Sequence, residues 1–391
     1  MRKFFALLPF LALAACGGSS GGVNTLGGLA SPAPGTTGGT GGGVTGGTGG
    51  GVTAGTGGSG STATPTSFLT ANGAKTYNAV GGASSLSINS TNGSLYQGDA
   101  STVKSPLGTI NYDPRDGIFT VTLNDTKSGV NANIRAQDPA HRTDFNPGAT
   151  PQSGVPDFAG FNYLEVLNGT NDLSTFFYQR PGVATVYVTL AGYVRNLTPA
   201  NPATQTFDRA AMVFGDQTNV FQVPASGTAS YSGGFIASMV NNPTFDSTSQ
   251  KPSYYQWVSG ISDVNVDFGK QTFALALNGT VDSVGAAQTT IPDHASFTAT
   301  GGGTIDLVRF GGFSGAFSSA CFVAACGTAG AVPIDFTGVN PTTSTAGASS
   351  IDGAFYGPNA VNVGGSFRII GGVPDQRVDM TGAFTGAKTG N

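Results

Sequence analysis

Glycine stands in pairs and triples inside segments whose other residues alternate between apolar and polar: Gly233-Gly234, Gly301-Gly302-Gly303, Gly311-Gly312, Gly364-Gly365 and Gly371-Gly372. In a flat strand each would be a weakness, because glycine loses much backbone freedom on folding and has no side chain to pack. In a small, strongly curved barrel the same residue relieves crowding where a strand must bend. The pattern therefore predicts a second half that closes on itself rather than a flat sandwich.

The strands themselves are legible. Thr109 to Tyr112 and Phe119 to Leu123 flank Asp113-Pro114-Arg115-Asp116-Gly117, whose Pro and Asp-Gly chemistry suits a hairpin loop. Ala184 to Leu190 alternates aliphatic or β-branched residues with Thr and Tyr. Val264 to Phe268 and Phe273 to Leu277 alternate with period two around Gly269-Lys270-Gln271, which predicts a strand pair with one buried face. No long amphipathic run of period 3.6 with caps is present, so at most one short helix is expected. The fold class expected is all-β: an eight-stranded antiparallel β-barrel over 205–391, preceded by a smaller β-rich, handle-like region over 67–204. A membrane-spanning barrel would need apolar outward faces, aromatic girdles and a terminal aromatic strand. The closing residues Gly386-Ala387-Lys388-Thr389-Gly390-Asn391 do not fit that, so the barrel is read as water-soluble.

The first residues carry an address. Arg2 and Lys3 precede the short apolar stretch Phe4 to Leu13, and Leu13-Ala14-Ala15-Cys16 follows as a lipobox. The apolar stretch is shorter than the ~20 residues a spanning helix needs. Residues 1–15 are thus expected to be a lipoprotein signal peptide, with Cys16 the lipidated residue. Gly17 follows it rather than an Asp that would hold the protein at the inner membrane, so a lipid-anchored protein of the outer membrane is expected. Residues 16–66 are nearly all Gly, Thr, Ser and Ala and are expected to form a disordered tether. Such a coil spans ~40 Å on average and up to ~165 Å when stretched.

Charge and chemistry exclude more than they select. A net charge of -4, with 10% charged residues, leaves no basic footprint for nucleic acid. Beyond Cys16 the two cysteines are Cys321 and Cys326, expected to form a small disulfide loop in an oxidising compartment. No metal site is expected from them, since no nearby His completes a ligand set. His141 and His294 are read as surface-loop residues, although neutral imidazole can ligate a metal or haem iron. No Gly-x-Ser-x-Gly elbow, His-Glu-x-x-His pair or phosphate loop occurs, so neither catalysis nor a cofactor is expected. The aromatic clusters Phe176-Phe177-Tyr178 and Tyr254-Tyr255-Gln256-Trp257 suit either a binding surface or a filled core and its join to the handle. Trp257 is expected in a loop or at a strand entrance.

Three segments resemble a known family. Met212 to Thr218 with Pro224 to Gly233 resembles the opening strands of the transferrin-binding protein B-like barrel, and Val264 to Leu277 is similar to its "VDFG…LxG" hairpin. Gly353-Ala354-Phe355-Tyr356-Gly357-Pro358-Asn359-Ala360, with Val363-Gly364-Gly365-Ser366-Phe367, looks like the family's "GxFYGPxAxExGGxF". Phe355, Tyr356, Gly357, Pro358, Gly364 and Gly365 are the barrel motif. The chain departs from it at Asn362-Val363, where an acidic residue is usual before the paired glycines. On its own residues, Phe355 and Tyr356 point to opposite faces of a strand, one into the barrel and one onto its outside.

The resemblance implies a surface-exposed lipoprotein of the outer membrane that binds without catalysis, in iron, haem or host-protein capture. It also implies two partners: a host iron or haem protein, and an outer-membrane receptor or surface-lipoprotein translocator. A structural or adhesive surface protein with no small-molecule ligand is the alternative. Neither the sequence nor the resemblance names ligand-binding residues.

Overall fold

A computed structural model describes residues 73–89, 93–96, 106–138, 154–181, 185–198, 204–242, 254–283, 291–308, 311–336, 348–373 and 376–390. The expected signal peptide, Cys16, the tether and His141 lie outside the described residues. Apart from two three-residue 3-10 turns, Val220–Gln222 and Pro358–Ala360, every named element among the described residues is a β-strand.

The first sheet contains β1 (Lys75–Asn89), β2 (Gly93–Tyr96), β3 (Pro106–Asp113), β4 (Ile118–Asn124), β5 (Asn131–Gln137), β6 (Phe161–Leu167), β7 (Asp172–Gln179), β8 (Val188–Leu197) and β9 (Thr204–Gly215). Its order is β5-β4-β3-β1-β9-β8-β7-β6, with β2 appended to β1. Long β1 makes this possible: Lys75 to Val80 pair with β3, with a register shift at Ala79/Val80, and Val80 to Asn89 pair with β9. The inner face is apolar and ring-rich, with Phe119 lying 5.4 Å from Phe176 and 4.9 Å from Tyr178. The handle-like region is therefore an eight-strand, barrel-like sheet in its own right.

The second sheet contains β10 (Thr228–Asn242), β11 (Tyr254–Asp267), β12 (Thr272–Ser283), β13 (Ser296–Asp306), β14 (Gly312–Phe322), β15 (Val332–Pro333), β16 (Ala348–Tyr356), β17 (Asn362–Val373) and β18 (Gln376–Thr389). Its order is β13-β12-β11-β10-β18-β17-β16-β14-β15, and β13 also pairs with β14. That last pairing joins the two ends, so eight long strands form a closed antiparallel barrel, as expected.

The seam is weakest between β14 and β16, which share three paired positions, Phe313 to Gly315 against Gly353 to Ile351. Beyond them the Ser349 hydroxyl donates to the Phe317 carbonyl at 3.3 Å and accepts from the Phe317 amide at 3.0 Å. Further on, β15 pairs with Cys321 and Phe322, the Ile334 amide donates to Ala320 O at 2.9 Å, and Asp335 bridges to Gly372 of β17. The Val332–Asp335 segment thus spans the gap left where β16 begins. The expected Cys321–Cys326 disulfide is formed there, with Cα atoms 5.4 Å apart.

The inside of the barrel is solid. Phe235, Phe297, Phe313, Phe355, Phe367 and Phe384 converge with other apolar side chains, so that every long strand contributes. On β11, Val264 and Val266 point inward while Asp263, Asn265 and Asp267 point out. Apolar inside and polar outside is the reverse of a membrane-spanning barrel.

The glycines allow this closure. Gly303 and Gly315 face each other across β13 and β14, and a Cβ on either would lie 2.1 Å from a carbonyl oxygen of the other strand. Elsewhere an aromatic ring covers the bare backbone: a Cβ on Gly382 would lie 2.2 Å from Phe367 Cζ. A ring laid over a strand glycine recovers the packing that the missing side chain forgoes.

Three expectations need correction. The sheet changes between Gly215 and Thr228 rather than at 204/205, because β9 pairs with β1 and β8 along its length. Met212 to Gly215 accordingly close the first sheet and do not open the barrel; Pro224 to Gly233 lead into β10 as expected. The strand expected from Ala184 to Leu190 starts later, at Val188, because the Tyr187 amide donates to Asn362 Oδ1 of the barrel instead of to a sheet neighbour.

Gly382→Ala is expected to cost about 1–3 kcal/mol, since the new methyl overpacks Phe367 and Ala237. Shrinking the ring in Gly382→Ala/Phe367→Leu should recover part of that loss. Denaturant melts of the two single variants and the double variant measure the coupling.

Candidate functional site

Both sheets belong to one compact unit, Thr62–Asn391, and meet along a face built from β1, β8 and β9 on one side and β10, β11, β17 and β18 on the other. Alternation decides which side chains meet there. On β9, Ala210, Met212 and Phe214 turn into the first sheet's core, so Arg209, Ala211 and Val213 turn toward the barrel. On β11, Val258 turns into the barrel and Trp257 turns outward into the joint. Trp257, the fourth residue of β11, lies in the entering part of a strand rather than in a loop, and it is fully buried because the first sheet covers it.

Around it lie Val155, Phe158 and Phe177, with Phe177 edge-on to the indole at 5.6 Å and Phe158 at 6.1 Å. The Gly154 carbonyl accepts two hydrogen bonds at once, from Arg209 Nη1 at 2.8 Å and from Trp257 Nε1 at 3.0 Å. The Arg209 guanidinium carbon sits 4.1 Å from the Tyr255 ring centre and 5.5 Å from that of Trp257. Burial pushes the Arg209 guanidinium down to about 10, which leaves it charged at neutral pH. The Tyr255 hydroxyl reaches across to donate to Phe207 O at 3.2 Å.

The barrel motif serves the same joint. Phe355 enters the barrel, 5.5 Å from Phe268 and 5.6 Å from Phe313, while Tyr356 faces out and is buried against Val188 and Leu190. The connecting segment zips onto this strand end: Thr218 N donates to Phe355 O at 2.8 Å, Gly357 N to Asp216 O at 2.8 Å, and Thr218 Oγ1 to Gly357 O at 2.6 Å. Gly357 has φ 72°, and the Tyr187 ring lies 2.4 Å from where its Cβ would be. Pro358 begins the turn after it. Gly364 admits Val188 in the same way, its absent Cβ falling 2.8 Å from Val188 Cγ2, and Gly365 fits under Phe384. Asn362, standing where an acid was anticipated, accepts from Tyr187 N at 3.1 Å and donates to Val361 O at 3.1 Å.

The aromatic clusters named in the sequence thus fill cores and the joint: Phe176 and Tyr178 inside the first sheet, Phe177 and Trp257 between the sheets. The large exposed hydrophobics among the described residues include one aromatic ring, Phe221, 93% exposed on the connecting 3-10 turn. Asn219 pins that turn, its Oδ1 accepting from Phe221 N at 3.0 Å. Sequence reasoning passed over Phe221; the Asn two residues before an aromatic is the local signal, since Asx side chains hold such turns. His294 is exposed beside Asp293 and precedes β13, as expected.

Alkaline titration reads out this burial. Burial raises the hydroxyls of Tyr193, in the first core, and Tyr356, in the joint, to about 12. Unfolded tyrosine ionises near 10, so between those values the folded chain holds more protons and stability falls as pH rises. Arg209 works the other way, because its lowered value lets the folded chain give up that proton first. Tyr77, Tyr178, Tyr231 and Tyr255 are all raised by burial as well, so the fall is expected to win. Tyr356→Phe should remove about 2–3 kcal/mol of the loss at the alkaline limit, measured as a shallower decline in urea stability between about pH 10 and about pH 12.

Residues 223–389 match the family model described as the C-lobe and N-lobe β-barrels of Tf-binding protein B. Among solved structures, transferrin-binding protein B from Haemophilus parasuis Hp5, as a double mutant, is 15% identical over 84% of this chain and 78% of that chain, with a TM-score of 0.33. Intact Ap-TbpB with its N and C lobes is 13% identical over 83% and 79%, with a TM-score of 0.31. The isotype 1 protein from serogroup B Neisseria meningitidis is 14% identical over 79% of this chain and 43% of that chain, with a TM-score of 0.31. No curated protein matches the chain. The match begins where the connecting segment enters β10 and ends with β18, and the closed eight-strand barrel lies within it. Residues 223–389 thus form a β-barrel domain similar to the lobes of transferrin-binding protein B.

Proposed function

We propose that this protein is a lipid-anchored receptor on the outer-membrane surface that captures an iron-carrying host protein without catalysis. Cys16 carries the lipid in this reading, and residues 17–66 let the two-sheet body stand clear of the membrane. A receptor or translocator in the outer membrane is the second partner. The observation that carries the reading is a barrel of the Tf-binding protein B family whose interior is packed solid with phenylalanine rings. Small barrels that bind small ligands keep a cavity for them. A filled barrel meets its ligand with its outer surface and loops, which suits a protein partner better than free haem. Phe221, rigidly held and open to solvent, is the kind of ring that protein interfaces use as an anchor.

Two measurements test this. Protease added to intact cells should remove the protein while periplasmic markers survive; protection would end the surface assignment. The purified protein should retain iron-loaded transferrin or haemoglobin on a column, and Phe221→Ser should weaken that retention by about tenfold or more while leaving the melting temperature unchanged. Retention of neither host protein would remove the capture role.

A further inference from the structure

We propose that Asp282, Asp293 and His294 form a binding site for a divalent transition-metal cation of the zinc type. Each offers one ligand atom, and the three atoms lie within 4.8 Å of one another. Zinc–oxygen and zinc–nitrogen bonds of about 2.0–2.2 Å place tetrahedral ligand atoms about 3.3 Å apart. Small side-chain rotations are enough to close the set. The donors are one imidazole and two carboxylates, which suits zinc, cobalt or nickel better than calcium or magnesium.

The backbone already holds these side chains in place. Asp282 lies in β12, paired with Trp257 of β11. Residues 294 and 295 lie alongside β12, where His294 N donates to Val281 O at 2.8 Å and Val281 N donates to Ala295 O at 2.9 Å. Asp293 Oδ1 accepts from Ser283 N at 2.7 Å, which aims its other oxygen, Oδ2, at His294 Nε2 3.3 Å away. His294 has φ 61°, the left-handed turn that brings its ring back over Asp293. Asp282 and Asp293 thus stand close enough to share one ligand, and a bound cation would offset the negative charge that two neighbouring carboxylates bring together. Asp293 and His294 are largely exposed, so water can complete the coordination and the expected affinity is micromolar.

The chain carries its own reporter. Trp257 is the single tryptophan and is the direct cross-strand neighbour of Asp282. Calorimetric titration of the full-length protein in detergent with Zn²⁺ should give one ion per chain at micromolar affinity. Co²⁺ at the same site should show visible d–d absorption and quench Trp257 fluorescence. His294→Ala and Asp282→Asn should each weaken both signals by about tenfold or more, with circular dichroism unchanged, and Ca²⁺ should not compete. Absence of binding below millimolar Zn²⁺, unchanged affinity in His294→Ala, or equal competition by Ca²⁺ would each overturn the proposal.

Discussion

A buried guanidinium with no carboxylate partner among the described residues holds the two sheets together. Arg209 comes from the first sheet, the rings of Tyr255 and Trp257 come from the barrel, and the Gly154 carbonyl accepts from both Arg209 and Trp257. A cation taken out of water without compensation is strongly unfavourable. Here two ring faces and a shared carbonyl replace hydration, and cation–π contacts gain strength when desolvated. The arrangement works only while the sheets stay docked. If they separate, Arg209 regains water and the barrel exposes Trp257 together with Ile236, Tyr356 and Ala383. The joint is therefore cooperative: each sheet supplies what the other's buried groups need.

Closure of the barrel and docking of the sheets make the same demand on the sequence, which is backbone without side chains. Gly303 and Gly315 allow two strands to coil tightly against each other. Gly357 and Gly364 instead make room for Tyr187 and Val188 of the first sheet. The motif Phe355 to Gly365 therefore has two jobs within one short stretch. Phe355 completes the core, and the residues after it form the surface that receives the first sheet and the connecting segment.

Much of this was legible in the sequence. Period two from Val264 to Leu277 marked both β11 and β12 and their inward faces, since that pattern is the direct imprint of a half-buried pleat. The cysteine pair could be read because compartment and spacing left few alternatives. Where β9 belonged could not: Thr204 to Gly215 has the same β-rich composition as the barrel strands, and its partners β1 and β8 are set by long-range pairing that leaves no local mark. Trp257 misled for a related reason. It was expected in a loop or at a strand entrance, and although it is the fourth residue of β11, its full burial follows from the other sheet, which covers the outer face of that strand. The grouping of Asp282, Asp293 and His294 stayed hidden because backbone pairing of His294 and Ala295 with Val281 brings them together, not a sequence interval that encodes ligation.

Asn362 shows how a departure from a family pattern can keep its structural role while changing its electrostatics. A carboxylate there could accept the Tyr187 amide but could not donate to Val361 O, as the Asn362 amide does. The position is buried, 3% exposed, so a charge would also lose its hydration. Tyr187 is the residue whose ring fills the space left by Gly357, and its backbone precedes β8. A neutral side chain that both accepts and donates therefore fixes the entry of β8 without placing an unpaired negative charge beside the joint. Arg209 is likewise held at the joint by two ring faces and the Gly154 carbonyl rather than by an opposite charge among the described residues.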